Sequence, residues 1–272
     1  MIELAFVGQR SLGGVQMRGV AVADALGVPF FDLKDLRKAD KIRTLILVKG
    51  HGRYAKDIRH SCERLIYDPL DAWFLSGREH DLPDVFWRWT HAQLAFDEII
   101  ATTPACAATM QDALPGVPVH LAPHHADPTI RPSYDPDGPV VYSGAKRYLG
   151  NELPAIKHAC KTLGRKLVIE SGKGPPKKLA GASLVLHVRM PPHDTPLNRW
   201  CKPQVKLENA AAAGCPILVS DHPCATSCYP DAVVHAGDWN ASISAALGTA
   251  PLHEPVTLTQ QRDRLRQLLL DA

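Results

Sequence analysis

The sequence predicts an α/β protein that consists of two doubly wound domains with a cleft between them. Short apolar segments alternate with helical patterns along the 272 residues, as expected of parallel sheets covered by helices. The alternation is interrupted once, at RPSYDPDGP (residues 131–139), and then starts again. A chain of this length that is 45% hydrophobic can bury two cores, because domains usually contain roughly 100–150 residues.

The first half predicts a strand, IELAFVG, then a glycine loop and a helix, VQMRGVAVADAL, whose apolar residues recur at helical spacing. Further strand-like segments follow: VPFFDL, TLILVKG, RLIYDPL, EIIATT and VPVHLAP. We therefore expect a first domain over residues 1–132 and a turn-rich linker over residues 133–138.

The second half predicts another α/β domain over residues 139–255. Its strand-like segments are PVVYSG, KLVIES, SLVLHV, PILVS and AVVHA, and its helices are ELPAIKHACKTLG and KLENAAAAG. The last segment, residues 256–272, contains LTQQRDRLRQLLL, in which leucines recur at helical spacing with arginines on the other side. We expect one face of this helix to pack on a core.

Composition leaves the binding partner open. The net charge is +3 and the isoelectric point is near 8.4, which neither requires nor excludes a polyanionic partner. No apolar run approaches the roughly 20 residues of a membrane-spanning helix. The start, MIELAFVGQR, is typical of a strand and a loop instead of a signal peptide. We therefore expect a soluble, cytoplasmic protein without a membrane span.

The cysteines predict reduced thiols instead of a disulfide framework, because seven of them are scattered along the chain. Cys224 and Cys228, with His222 and His235 nearby, have CxxxC spacing but lack a matching second pair. We predict no metal site.

Loops after strands contain the candidate functional residues, because ligands of doubly wound sheets bind beyond the carboxyl ends of the strands. Gly13 and Gly14 follow the first strand, and their bare backbone can approach a substrate or an anion; a plain turn explains them equally well. His51, Asp68 and Asp71 follow later strands and are candidate general bases. Helix capping is the alternative role for either aspartate.

The segment CKPQVKLENAAAAGCPILVS is the most informative part of the second half. Lys202 and Lys206 stand before or at the start of a helix of small residues, and free helix amides with a lysine suit a diphosphate. Glu208 or Asn209, one turn further, can accept hydrogen bonds from a ribose. The alternative is an ordinary small-residue helix packed on a sheet.

This segment resembles the donor-binding segment of the GT-B glycosyltransferases, in which a lysine and an acidic or amide residue precede a small-residue helix and a G-x-P turn. SLGGVQMRGVAVADAL is similar to the Gly-Gly loop and first helix of that family, and VVYSGAKRYLG to the strand and basic loop that open its C-terminal domain. The resemblance implies two Rossmann-like domains that clamp a nucleotide sugar, with the donor mostly on the C-terminal side. It also implies that the terminal helix crosses back to the first domain.

Residue by residue, the resemblance implies that Lys206 holds the donor phosphates with help from Lys146 or Arg147, and that Glu208 or Asn209 holds the ribose. Many members have the acidic residue five positions before the turn glycine, where this chain has Asn209. The implied activity is hexosyl transfer from a nucleoside-diphosphate sugar, most often a UDP-sugar such as UDP-glucose. We expect no cofactor and no metal, with the diphosphate charge met by Lys206, other basic side chains and helix amides.

Three further side chains are candidates for the same cleft. Arg189 follows the strand SLVLHV and can place a guanidinium on a phosphate, although a solvated surface arginine is the alternative. His124 and His125 follow the last strand of the first half, where they can contact a donor phosphate or an acceptor hydroxyl.

Two other classes of protein compete with the transferase interpretation. A nicotinamide-dependent oxidoreductase would use Asp32, about 20 residues after the glycine loop, to bind a ribose. However, GQRSLGG lacks the G-x-G-x-x-G pattern, and that interpretation leaves Lys206 without a role. The other competitor is a catalytically silent protein that binds nucleotide sugars.

The acceptor stays open among a small metabolite, a lipid or cell-envelope saccharide, and a modified base in DNA, such as a 5-hydroxymethylpyrimidine. DNA-glucosylating GT-B enzymes of bacteriophages are also soluble, and such a base would be flipped from the duplex. A DNA backbone can be contacted by a basic run, for which a solvated helix face is the alternative. This run contains Lys34, Arg37, Lys38, Lys41 and Arg43.

Overall fold

The computed structural model of the chain describes residues 1–36, 41–49, 58–70, 95–171, 179–249 and 254–270. Contacts between residues divide the chain into two compact units. Unit 1 consists of Met1–His124, Cys201–Pro203 and Leu258–Ala272, and unit 2 consists of His125–Trp200 and Gln204–Thr257.

The described residues form strands and helices that alternate along the chain. The strands are β1 (Ile2–Gly8), β2 (Phe30–Asp32), β3 (Ile42–Val48), β4 (Cys62–Asp68), β5 (Glu98–Ala101), β6 (Val119–Leu121), β7 (Val140–Ser143), β8 (Leu167–Glu170), β9 (Leu184–His187), β10 (Ile217–Val219) and β11 (Val233–Val234). The helices are α1 (Gly13–Val15), α2 (Ala21–Leu26), α3 (Pro104–Ala113), α4 (Leu153–Thr162), α5 (Pro196–Trp200), α6 (Val205–Ala212), α7 (Pro223–Thr226), α8 (Trp239–Leu247) and α9 (Leu258–Leu270). A π-helical turn, Gln16–Val20, joins α1 to α2, and a 3-10 segment, Lys146–Glu152, precedes α4.

Unit 1 is organised around a parallel sheet. Within its described residues the strand order is β2-β1-β3-β4-β5-β6, and β1 pairs with both β2 and β3 in parallel register. Strand β3 is almost entirely buried, because a central parallel strand is covered on both faces. Helix α3 begins after Thr103, whose hydroxyl accepts a hydrogen bond from the Cys106 N–H at 3.0 Å, as expected of an N-cap.

Unit 2 contains the second parallel sheet, whose described strands lie in the order β11-β10-β9-β7-β8. Apolar residues from β7, β9, α4 and α8 form one buried core, which includes Tyr142, Leu186, Ile156 and Ile243. Helix α8 begins after Asp238, whose carboxylate accepts hydrogen bonds from the N–H groups of Asn240 and Ala241. A left-handed Gly214, with φ of 74°, ends the turn after α6 and leads into β10.

The C-terminal helix α9 belongs to unit 1. Leu265 is buried in the same core as Val22 and Ala23 of α2, and Leu258, Leu268 and Leu269 pack against that core. The leucine stripe read from the sequence is therefore the buried face of this helix.

The predicted fold class is confirmed, because both halves contain a parallel sheet with helices. Each strand-like segment named from the sequence contains an observed strand. Residues 133–138, predicted as a linker, lie in unit 2, where the Ser133 N–H donates to the Ala213 carbonyl. None of the described helices is long and apolar enough to cross a membrane. All seven cysteines are free thiols.

Candidate functional site

The strand order of unit 2 places a candidate ligand site between β7 and β9. Strand β8 lies on one side of β7, whereas β9, β10 and β11 lie on the other side. Such a reversal is a topological switch point, and ligands of open α/β sheets bind outside the carboxyl ends of the strands there. The residues that follow β7 and β9 therefore form the expected site.

Lys206, in the first turn of α6, lies against the loop that follows β7. Its ammonium is 5.9 Å from the centre of the Tyr142 ring. A Cβ atom added at Gly144 would lie 2.8 Å from Nζ of Lys206 and 2.8 Å from the Tyr142 hydroxyl. Since real Cβ atoms do not approach other atoms so closely, a side chain at Gly144 would displace the end of Lys206 or of Tyr142.

Two arginines lie on the ring of Tyr148, in the same loop region. The guanidinium of Arg189, just after β9, is 4.6 Å from the centre of that ring, and the guanidinium of Arg147 is 5.1 Å from it. Nη1 of Arg189 donates to Oδ1 of Asn198 at 3.1 Å. Cation–π contact and this hydrogen bond hold the Arg189 guanidinium in one orientation.

Lys206, Arg147 and Arg189 together make the carboxyl edge of β7 and β9 cationic; we call these three side chains the cation cluster. Burial raises the pKa of Tyr142 to about 12, while the positive charge of Arg189 acts in the opposite direction. The phenol of Tyr142 is therefore neutral near pH 7 and does not cancel the charge of the cluster. Cations on tyrosine rings at a switch point suit a phosphate or diphosphate ligand.

Glu208 and Asn209, predicted to hold a ribose, are buried and already engaged inside unit 2. The Glu208 carboxylate accepts a hydrogen bond from the Val256 N–H at 2.7 Å and bonds to the Tyr229 side chain. Oδ1 of Asn209 accepts from the Asp127 N–H at 2.8 Å. These contacts attach α6 to the segments before and after it, and we do not carry the ribose role into the proposed function.

We expect Glu208 to make unit 2 less stable as the pH rises. Burial is the main cause that raises the pKa of Glu208 from 4.5 to about 7. The protonated carboxyl therefore stabilises the fold below about pH 4.5, and this contribution is lost as the pH rises through 7. Relative to the wild type, Glu208→Gln should gain roughly 2–3 kcal/mol of unfolding free energy between pH 5 and pH 8.

Urea unfolding at both pH values measures this gain. Asp137→Asn, which changes a largely exposed carboxylate of the same unit, is the control and should show no pH-dependent gain. If the unfolding free energies of Glu208→Gln and the wild type differ by the same amount at the two pH values, the pKa of Glu208 is not raised.

The carboxyl edge of the unit 1 sheet has a second switch point, between β1 and β3. Gly13 and Gly14 begin the helical segment after β1, and nothing lies within 4 Å of a Cβ atom added at Gly13. A Cβ atom at Gly14 would meet Leu70 at 2.9 Å and Nζ of Lys49 at 3.7 Å. Lys49 has φ of 46° and Leu70 has φ of 60°, conformations that cost energy in residues with a Cβ atom. Lys49, which the sequence analysis did not single out, thus lies beside the Gly-Gly loop.

Asp68, a predicted general base, forms a buried ion pair with Arg18 of the π-helical turn. Oδ2 of Asp68 is 2.5 Å from Nε of Arg18, and both side chains are at most 2% exposed. The Arg18 guanidinium also donates to the carbonyls of Ala122 and Pro123. These bonds make Asp68 a structural partner of Arg18 and leave its carboxylate no access to solvent.

The remaining predicted residues do not join the cation cluster. His51 and Asp71 lie outside the described residues. Lys146 is exposed, and Lys202 is assigned to unit 1. His124 and His125 are both buried. The boundary between the units falls between them, with His124 in unit 1 and His125 in unit 2.

The tyrosines of the site and Arg18 were missed from the sequence. Tyr142 and Tyr148 lie in VVYSGAKRYLG, and the signal that could have found them is an aromatic residue on each side of a post-strand glycine. Arg18 had only the signal of a lone cation within an apolar helical pattern.

The expectation of a metal-independent enzyme assumed that the chain lacks a D-x-D pair, and this assumption was wrong, because Asp135-Pro136-Asp137 is one. It precedes β7, so it lies at the amino edge of the sheet, opposite the cation cluster. Asp135 caps the Asp137 N–H, and Asp137 pairs with Arg165. Among the residues with described positions, no group of three His, Cys, Asp or Glu side chains could hold a metal ion.

Comparisons with known proteins find structural similarity without sequence similarity. No protein-family model matches the chain, and no curated protein matches it significantly. The crystal structure of AviGT4, a glycosyltransferase involved in avilamycin A biosynthesis, is 16% identical with a TM-score of 0.55, covering 100% of this chain and 99% of that one.

Two other solved structures are similar over nearly their whole length. A trehalose-6-phosphate structure from E. coli, bound with UDP-2-fluoro glucose, is 9% identical with a TM-score of 0.58 and covers 99% of this chain and 95% of its own. An α,α-trehalose-phosphate synthase (UDP-forming) from Burkholderia vietnamiensis is 10% identical with a TM-score of 0.60, covering 99% and 96%. The chain has the GT-B fold of these glycosyltransferases, as the resemblance in its sequence implied.

Proposed function

We propose that the protein is a hexosyltransferase that transfers a sugar from a UDP-sugar, such as UDP-glucose, to a hydroxyl acceptor. The observation that carries this proposal is the cation cluster at the switch point of unit 2, in a chain with the GT-B fold. A diphosphate is the ligand whose charge and size suit three cations around two tyrosine rings.

The chemistry of sugar transfer gives the cation cluster a catalytic purpose. The bond between the anomeric carbon and the diphosphate oxygen breaks, the acceptor oxygen bonds to that carbon, and the acceptor proton passes to a base, either a protein side chain or the departing diphosphate. Negative charge grows on the departing UDP in the transition state. Lys206 and Arg189 would stabilise this charge, because fixed cations act most strongly where charge develops.

Two structural neighbours support UDP as the nucleotide of the donor. One is bound with UDP-2-fluoro glucose and another is described as a UDP-forming synthase. The cations of the cluster would neutralise the diphosphate charge, as a metal ion does in other transferases. We therefore propose metal-independent transfer. We further propose that the base is His51 or Asp71, because Asp68 is bonded to Arg18.

We propose that the acceptor is a hydroxyl compound. One screen tests the three acceptor classes: a small metabolite, a lipid or cell-envelope saccharide, and a modified base in DNA. Lys41 and Arg43 of the basic run form exposed ion pairs with Glu63 at 3.2 Å and Glu3 at 3.1 Å. These carboxylates offset part of the charge that a DNA backbone would need. These two pairs weaken the case for a DNA duplex, and all three acceptor classes stay in the screen.

The experiment that tests the proposal measures UDP release from UDP-glucose and other UDP-hexoses, with EDTA present. Acceptor arms are free sugars and sugar phosphates, cell-envelope glycans, and duplex DNA that contains 5-hydroxymethylcytosine. We expect UDP release with at least one acceptor class, and a rise in melting temperature with UDP.

The competing functions give different results in the same experiment. UDP binding without UDP release in any arm would favour the silent binding protein. Binding of NAD(P) and no uridine nucleotide would favour the oxidoreductase, and either result would overturn the proposed function.

A further inference from the structure

The segment after β9 is tied to the segment after β10 by contacts within unit 2. Arg199, on α5, donates from Nη2 to the Asp221 carbonyl at 3.2 Å. Sγ of Cys224 donates to the Asn198 carbonyl at 3.3 Å. These bonds join α5 to the start of α7, so the loop after β9 has a firm support.

Asp194 lies at the centre of this support. Its Oδ1 is 2.9 Å from Nε2 of His222, and its Oδ2 is 3.2 Å from Nη1 of Arg199. Burial lowers the pKa of His222, although Asp194 acts in the opposite direction. The hydrogen bond that Asp194 accepts comes from Nη1 of Arg199 to its Oδ2, whereas the buried Nε2 of His222 lies close to Oδ1 without a hydrogen bond.

Helix α5 transmits this support to the cation cluster through Asn198. The amide of Asn198 donates to the His193 carbonyl at 2.9 Å and to the Thr195 hydroxyl at 3.1 Å. Its Oδ1 accepts the bond from Nη1 of Arg189. The orientation of the Arg189 guanidinium therefore depends on the position of α5, which Asp194 holds through its bond to Arg199.

We propose that Asp194 is a positioning residue that holds Arg189 ready for the diphosphate of the donor. This inference rests on the proposed function. A carboxylate near an anion site would normally repel the anion. Asp194 avoids this cost because Arg199 neutralises its charge, while the bond that it accepts from Arg199 keeps α5 in place.

The test is a double-mutant cycle between Asp194→Asn and Arg189→Ala, with UDP and uridine as calorimetric probes. Asp194→Asn should weaken UDP binding by about 10-fold, because one oriented charge-assisted bond is lost. Uridine affinity should change by less than about 2-fold, since uridine has no phosphate. In the Arg189→Ala protein, Asp194→Asn should have no further effect on UDP affinity.

Two further variants keep the test decisive. Asp137→Asn is the control, because it also removes a carboxylate beside an arginine in unit 2 but at the amino edge of the sheet; it should bind UDP as the wild type does. Asn198→Ala removes the acceptor of Arg189 without a charge change and should reproduce the loss, which covers the case that Asp194→Asn does not fold.

Each remaining outcome overturns a stated claim. Equal losses for UDP and uridine, or additive effects of Asp194→Asn and Arg189→Ala, would show that Asp194 only maintains the fold. If the wild type binds neither UDP nor another nucleoside diphosphate, the proposed function fails, and the inference fails with it.

Discussion

Replacing Lys206 by alanine is expected to weaken UDP binding by about 100-fold, or about 2.7 kcal/mol, and to leave the fold intact. The lysine ammonium lies at the end of β7, beside Gly144 and the Tyr142 ring. Loss of a charged hydrogen-bond donor to a phosphate costs more than loss of a neutral one. The fold should survive because Lys206 is only partly buried, on the first turn of α6.

Isothermal calorimetry with UDP, and far-UV circular dichroism for the fold, measure this effect. Lys157→Ala is the matched control, because Lys157 is an exposed lysine on α4 of the same unit. If Lys206→Ala binds UDP as tightly as the wild type, Lys206 does not belong to the site. The main support for a diphosphate ligand is then lost.

Lys206→Arg should not restore the affinity, although it keeps the charge. The guanidinium is larger and planar, whereas Nζ and the Tyr142 hydroxyl both lie 2.8 Å from the position of a Cβ atom added at Gly144. Restoration by arginine would show that UDP responds to net charge at this edge and not to the geometry of the lysine.

Breaking the buried pair of Arg18 and Asp68 is expected to have the largest effect on stability. Asp68→Ala leaves the Arg18 guanidinium buried without its carboxylate, and Arg18→Ala also removes the donors to Ala122 and Pro123. Removal of one partner of a buried pair costs about 3–5 kcal/mol. Urea unfolding of each variant, followed by circular dichroism, measures this loss.

An exposed pair of unit 1 provides the control. Glu3→Gln removes the partner of Arg43, and both side chains are more than half exposed, so the change should be about 0.5 kcal/mol or less. The double variant Arg18→Met/Asp68→Leu should regain only part of the loss, because the carbonyls of Ala122 and Pro123 stay without a donor. Stability equal to the wild type in Asp68→Ala would contradict a structural role and return Asp68 to the candidates for the base.

The candidate site shows where sequence patterns carry information about function. Lys206 was identified because a lysine before a small-residue helix is a local pattern. The strand that ends at Gly144 was identified from a local apolar run. Tyr148 became part of the site only through its contact with Arg189, which is distant from it in the chain.

Glu208 and Asp68 show the opposite case, in which a local pattern predicted a functional role and the contacts of the side chain depend on distant parts of the chain. Glu208 lies one turn into a helix where a ribose contact was expected, yet its carboxylate bonds to the Val256 N–H, 48 positions along the chain. Asp68 follows a strand as a general base would, yet Arg18 reaches it from 50 positions away. Neither partner is visible in a local pattern.

The sequence by itself determined the alternation of strands and helices, the two parallel sheets, and the helix that begins with Lys206. These features follow from the spacing of apolar residues and from turn residues, which act over a few positions. Tertiary structure alone decided which cations surround Tyr142 and Tyr148 and which carboxylates are buried with partners. Strand order brings together residues that are far apart in the chain, and burial, which sets their charge and access, depends on that order.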